Sequence, residues 1–169
     1  FRDVVRLITM GDDSVGNSKS DEFSMFTMSE FCNKHRMKYT DCNKNKVSVP
    51  FMDFEDIDFC KRKFVFNPLI GQYLAPLDIH SIFKPLCFHT PGPQTENSYL
   101  IQTIQSQLRE LARHDKETFL KYQKIIIEAS TLLQLNHLVV ELHWSYEDWI
   151  SDLMIRYFPD LLAITPKSE

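Results

Sequence analysis

Apolar and polar positions follow two different rhythms along the chain. At the front, Val4-Val5-Arg6-Leu7-Ile8-Thr9-Met10 is β-branched and apolar with one charge; it is bounded by Gly11-Asp12-Asp13 and followed by Ser14-Val15-Gly16. That order predicts strand, tight turn and returning strand. Over residues 24–35 the apolar positions Phe26, Phe31, Cys32 and His35 fall at helical spacing, with Ser24 or Thr27 as the N-cap. Residues 47–52 and 59–66 are separated by the acidic stretch 53–58, and the second run alternates well enough to be a strand, so a second hairpin or a strand after a loop is expected. A helix is expected to start at Pro76 and to stop at Pro85. Beyond Thr90-Pro91-Gly92-Pro93 the rhythm becomes that of long helices. Tyr99, Leu100, Ile104, Leu108 and Leu111 share one face of 96–113; Asp115 caps a run holding Phe119, Tyr122, Ile126, Ala129 and Leu133; Ser145 with Asp148 opens a third helix that ends before Pro159. The expected class is α+β, β-rich in front and helical behind.

Composition adds limits. With 43% apolar and 25% charged residues over 169 positions, the chain can bury a core, and no short unit recurs. One domain, or one and a half, is expected. No stretch reaches the roughly 18 apolar residues of a membrane-spanning helix, and no charged-then-apolar leader is present, so a soluble chain without its own anchor is expected. Phe1 stands where a strand is already under way, which reads as a piece of a longer protein. Cys32, Cys42, Cys60 and Cys87 lack the density of a disulfide scaffold and are expected reduced. Cys87 with His89, or Cys32 with His35, makes half a zinc site at most, because no second pair stands at ligand spacing. The net charge of −4 excludes a uniformly basic surface, yet residues 34–63 carry 8 Lys/Arg against 5 Asp/Glu and are the one net-positive stretch.

The sharpest chemical feature is Gly11-Asp12-Asp13. Adjacent carboxylates on a turn present hard oxygen ligands to Mg²⁺ while glycine lets the backbone bend, a geometry suited to two-metal phosphoryl transfer. The tripeptide alone also fits a solvated hairpin turn. Its surroundings carry the weight: Leu7-Ile8-Thr9-Met10-Gly11-Asp12-Asp13 resembles motif C of viral RNA-dependent RNA polymerases, with Met10 where Tyr is usual. Met37-Lys38-Tyr39-Thr40-Asp41-Cys42-Asn43-Lys44 is similar to the end of motif D, and Phe59-Cys60-Lys61-Arg62-Lys63-Phe64 to motif E of the picornavirus-like enzymes, with Cys60 for Leu. Leu74-Ala75-Pro76-Leu77-Asp78-Ile79-His80-Ser81-Ile82-Phe83-Lys84 looks like the palm-to-thumb passage of the arthropod and marine branches of that group.

The resemblance implies the end of a polymerase palm at 1–75 (motifs C, D and E: antiparallel hairpin and strands with a helix) and an all-helical thumb at 76–169. It implies template-directed RNA synthesis from nucleoside triphosphates with Mg²⁺ or Mn²⁺. Asp12 would be the principal metal ligand and Asp13 a second one. Lys44 would protonate the departing pyrophosphate, with Lys46 competing for the role; an ordinary ammonium, of pKa about 10.4, is protonated at neutral pH. Lys61 and Arg62 would hold the primer strand of an RNA template-primer by its phosphates, or else form a polar strand edge. Motifs A and B and the fingers would come from the rest of the same polyprotein, so the isolated polypeptide is expected to polymerise nothing. The expected place of action is the host cytoplasm, in replication complexes on membranes. Two other readings stay open: a reverse transcriptase palm, whose hairpin usually reads Tyr-x-Asp-Asp, and a non-catalytic helical interaction module.

Overall fold

The computed structural model describes residues 3–88, 92, 93 and 95–164, with side chains to Leu161. His89, of the cysteine-histidine pair noted above, lies outside them, as do Thr90 and Pro91 of the Thr90–Pro93 turn. The chain divides into two compact units, Phe1–Phe64 and Val65–Glu169. The division leaves residues 65–74 with the helices rather than with the opening hairpin.

In the first unit, β1 (Val5–Met10) and β2 (Asp13–Ser18) form an antiparallel ribbon in which Met10 faces Asp13. Only Gly11 and Asp12 are left to turn the chain, and Gly11 adopts φ +62°. A two-residue hairpin with positive φ at its first central position alone has the type II′ pattern, which favours glycine there. Helix α1 (Met25–Lys34) begins at Ser24, whose hydroxyl accepts from the Thr27 N–H while the Thr27 hydroxyl accepts from Ser24 N–H. Of the two candidates Ser24 is the N-cap, and Thr27 sits at the third helical position, where it completes a reciprocal pair that satisfies two otherwise orphaned donors.

The strand expectations are corrected here. Residues 47–52 form no strand, and the run 59–66 does not continue straight. It folds back as β3 (Asp58–Phe59) and β4 (Arg62–Lys63), with Cys60 and Lys61 at φ +54° and +59° between them. Positive φ at both central positions is the type I′ pattern, whose twist suits a tight hairpin. Apolar alternation on either side hid the turn because neither residue is Gly, Asn or Asp. Phe64 stacks on Phe54 with ring centroids 5.0 Å apart.

The second unit opens with β5 (Val65–Asn67) and β6 (Gln72–Leu74), a third two-stranded ribbon. Helix α2 (Ile79–Cys87) is capped by Asp78, later than the expected Pro76, and it runs through Pro85 rather than stopping there. Proline removes one N–H, and in this last turn the Phe88 N–H still reaches the Lys84 carbonyl at 3.1 Å. Then come α3 (Glu96–Leu111), α4 (Lys116–Leu132) with Asp115 as N-cap, and α5 (Tyr146–Tyr157) with the Ser145–Asp148 capping box. A sixth helix, α6 (Pro159–Ile164), follows directly; proline suits a first helical position, where no intrahelical partner for its N–H is needed. The contiguous hydrophobic cluster lies in this unit, where Ile82, Leu108, Leu111, Phe119, Leu142, Trp149 and Leu153 are fully buried. Trp144 packs on Trp149 at 5.0 Å between ring centroids, so the tryptophans serve packing. Tyr146 clasps the ribbon to the helices, accepting from Asn67 Nδ2 at 3.1 Å and donating to the His114 carbonyl at 2.8 Å. The class is α+β, as expected.

Candidate functional site

All five residues singled out from the sequence lie in the first unit. Asp12 stands exposed at the tip of the β1–β2 turn, and Asp13 is the first residue of β2, half-buried. The two carboxylates are therefore on different elements, one on the turn and one on the strand, and successive strand positions alternate in direction.

Asp13 is the meeting point. Lys44 Nζ approaches its Oδ1 at 3.9 Å, from a loop thirty-one positions further along the chain. Lys44 is largely exposed, at 75%, and Asp13 partly, at 41%, so the attraction is weak and the ammonium is free to be drawn elsewhere. From a third segment, β3 lies against β2, and the turn after it brings Cys60 near enough to Asp13 for its thiol to feel the carboxylate. Partial desolvation, then the charge of Asp13, push the Cys60 thiol above its ordinary pKa, which keeps it neutral. Lys61 and Arg62 follow Cys60 directly, Lys61 at the exposed apex of the β3–β4 turn and Arg62 opposite Phe59 in β4. Of the two lysines weighed for the acid role, Lys44 makes the contact with Asp13.

In the sequence Cys60 stands as a reduced thiol and a replacement for Leu, and nothing in its neighbours announces an approach to Asp13. Asp41 gives a weak local signal, its place three residues before Lys44, since Asp side chains close turns on nearby backbone N–H groups.

Among the described residues no three or more His, Cys, Asp or Glu side chains gather as a metal-binding group. Asp12 and Asp13 nevertheless suit a hard divalent cation in kind: oxygen donors, exposed, at a tip where water and phosphate oxygens can complete an octahedron. Two carboxylates can supply only part of such a ligand set. No helix among the described residues is long and apolar enough to cross a membrane.

No protein-family model matches the chain. It is 33% identical over 130 residues to the replicase polyprotein of Drosophila C virus, covering 75% of this chain and 7% of that polyprotein. It is 31% identical over 128 residues to the replicase polyprotein of cricket paralysis virus, covering 74% of this chain and 7% of the relative. The RNA1 polyprotein of Satsuma dwarf virus is 33% identical over 132 residues, 76% of this chain and 6% of its own length. The chain thus spans less than a tenth of these relatives. Among solved structures it resembles a sicinivirus 3Dpol RNA-dependent RNA polymerase, with a TM-score of 0.62 at 14% identity over 90% of this chain and 31% of that one.

Proposed function

The chain belongs to the picornavirus-like viral replicases and carries the fold of the C-terminal part of an RNA-dependent RNA polymerase, and from that premise we propose that it completes the nucleotidyl-transfer site of such an enzyme. The observation that carries this reading is the convergence on Asp13 of Lys44 and the Cys60-Lys61 turn, three segments far apart in sequence. Each corresponds to one of the motifs quoted above, and a plain hairpin turn gives no reason for them to meet.

In the reaction the primer 3′ oxygen bonds to the α-phosphorus of a nucleoside triphosphate while the bond from that phosphorus to its bridging oxygen breaks. The hydroxyl proton passes to solvent water and pyrophosphate departs. Asp12 and Asp13 would hold Mg²⁺ or Mn²⁺, which when bound neutralises triphosphate charge and favours the ionised hydroxyl. Lys44 donates a proton to the departing pyrophosphate, which its ammonium can do only when a phosphate oxygen gaining charge draws it from Asp13. Lys61 and Arg62 grip the primer's phosphates, fixing register without reading bases. Residues 1–75 are the palm end and 76–169 the thumb. The first palm carboxylate, the ribose-selecting loop and the fingers come from other parts of the polyprotein. The assembled enzyme acts on RNA template-primer in the host cytoplasm, at replication membranes reached through other viral proteins.

The direct test is Asp12→Asn in the full-length polymerase. Nucleotide incorporation should fall by roughly 10²- to 10³-fold with the melting temperature unchanged; incorporation at the wild-type rate would mark the pair as a structural turn. The 169-residue polypeptide by itself should extend no primer.

A further inference from the structure

Lys44 reaches Asp13 from a backbone that a lysine does not adopt by default. Its φ is +65°, in the left-handed region, where a Cβ crowds the following carbonyl oxygen. Something must hold it there, and the surrounding loop shows what. Asp41 Oδ1 accepts the N–H of Asn43 at 2.9 Å and that of Asn45 at 2.8 Å. The Asp41 backbone joins in: its N–H donates to the Asn45 carbonyl, and its carbonyl accepts from the Lys44 N–H, each at 3.1 Å. One residue thus closes a five-residue ring around Lys44 on both sides. Carboxylate acceptance of backbone N–H groups is stronger than the neutral equivalent, so the ring can offset the strain at its fourth position.

We propose that Asp41 is a positioning residue for nucleotidyl transfer, locking residues 41–45 so that the Lys44 ammonium stands at Asp13. The inference rests on the reading of Lys44 as proton donor given above. Asp41 touches neither substrate nor metal in this account; it acts through the loop. Without its carboxylate the two backbone bonds remain, but Lys44 loses the restraint on the N–H groups before and after it. Its backbone then relaxes out of the left-handed region and carries the ammonium away from Asp13. A displacement of about 1 Å at a reacting group is enough to slow a step up to a hundredfold.

The experiment is single-nucleotide incorporation by the full-length polymerase carrying Asp41→Ala, Asp41→Asn, Lys44→Leu, and Asp41→Ala combined with Lys44→Leu. Asp41→Ala should lower kcat roughly tenfold while leaving the KM for nucleoside triphosphate within about twofold, since ground-state binding is untouched. Asp41→Asn keeps an acceptor oxygen and should recover most of the rate. Adding Asp41→Ala to Lys44→Leu should cost nothing more, because the group being positioned is already gone. A general loss of folding would instead multiply with the Lys44 defect and would overturn the inference. A slow Lys44→Leu enzyme beside an Asp41→Ala enzyme at the wild-type rate would overturn it too, leaving the proton-donor reading intact. A Lys44→Leu enzyme at the wild-type rate would overturn the proton-donor reading, and the inference with it.

Discussion

The two units distribute their apolar residues and their strained backbone in opposite ways. In the helical unit Phe119, Leu108, Leu111, Trp149 and Leu153 are fully buried. In the unit that carries the acidic turn, the buried apolar residues are Val5, Cys32 and Val47, while Leu7, Ile8 and Met10 on β1 stay exposed. Left-handed backbone shows the reverse bias: Arg36, Lys44, Cys60 and Lys61 belong to the first unit and Gln134 alone, among described non-glycine residues, to the second. Three of those four strained positions lie at the Asp13 site or in the loop that feeds it. Packing sets the shape of one unit; short turns held by polar contacts set the chemistry of the other. Strain persists where surrounding structure over-determines it, and such places are enriched in function. On the reading proposed above, other parts of the polymerase cover the open face of β1.

The contrast would break most visibly at Phe119. Phe119→Ala should destabilise the helical unit by about 3–5 kcal/mol, whereas Ile8→Ala on the open strand should change stability by less than about 0.5 kcal/mol. Denaturant unfolding of the two variants measures both; equal losses would show that the first unit is packed like the second.

Next in size is a cap. The Thr118 backbone N–H and hydroxyl, donating to Asp115, hold its carboxyl below the usual carboxylate range. Because the folded-state pKa is depressed, the ionised cap stabilises fully above the unfolded value, about 3.9, and that contribution is lost as pH falls through the lower folded value. Asp115→Ala should therefore cost about 1 kcal/mol at neutral pH and progressively less below about pH 4. A loss that stays constant down to pH 2 in thermal melts would rule out the ionised cap.

The smallest effect sharpens the comparison from the other side. Lys61 pays for its left-handed turn, so Lys61→Gly should stabilise the β3–β4 hairpin by a few tenths of a kcal/mol, about the balance of relieved strain and added chain entropy. In the full-length polymerase the same change should weaken RNA binding and reduce the salt dependence of affinity by about one phosphate contact. Tighter RNA binding, or a less stable protein, would remove Lys61 from the primer surface.

What could be read from the sequence follows the same division. The long helices and their caps at Ser24, Asp115 and Ser145 were legible because apolar spacing and short polar side chains act locally. Gly11-Asp12-Asp13 was legible because a two-residue hairpin of this pattern needs glycine at its first position. The Cys60-Lys61 turn was not, since neither residue advertises positive φ and the flanking apolar residues imitate a strand. Helix α2 continued past Pro85 because a proline in a last turn forfeits little. The approach of Cys60 to Asp13 depends on tertiary placement, which no spacing encodes. Asp41 had a local signature, but one shared with many ordinary turns.

The central claim is that the β1–β2 tip and Lys44 face one triphosphate. Anomalous diffraction from Mn²⁺ in crystals of the full-length polymerase with primer-template RNA and a non-hydrolysable nucleoside triphosphate tests it most directly. A Mn²⁺ peak should lie bonded to an Asp12 oxygen, with the Lys44 ammonium turned from Asp13 towards the β-phosphate. Mn²⁺ bound elsewhere, with Asp12 facing bulk water and Lys44 still paired to Asp13, would contradict it.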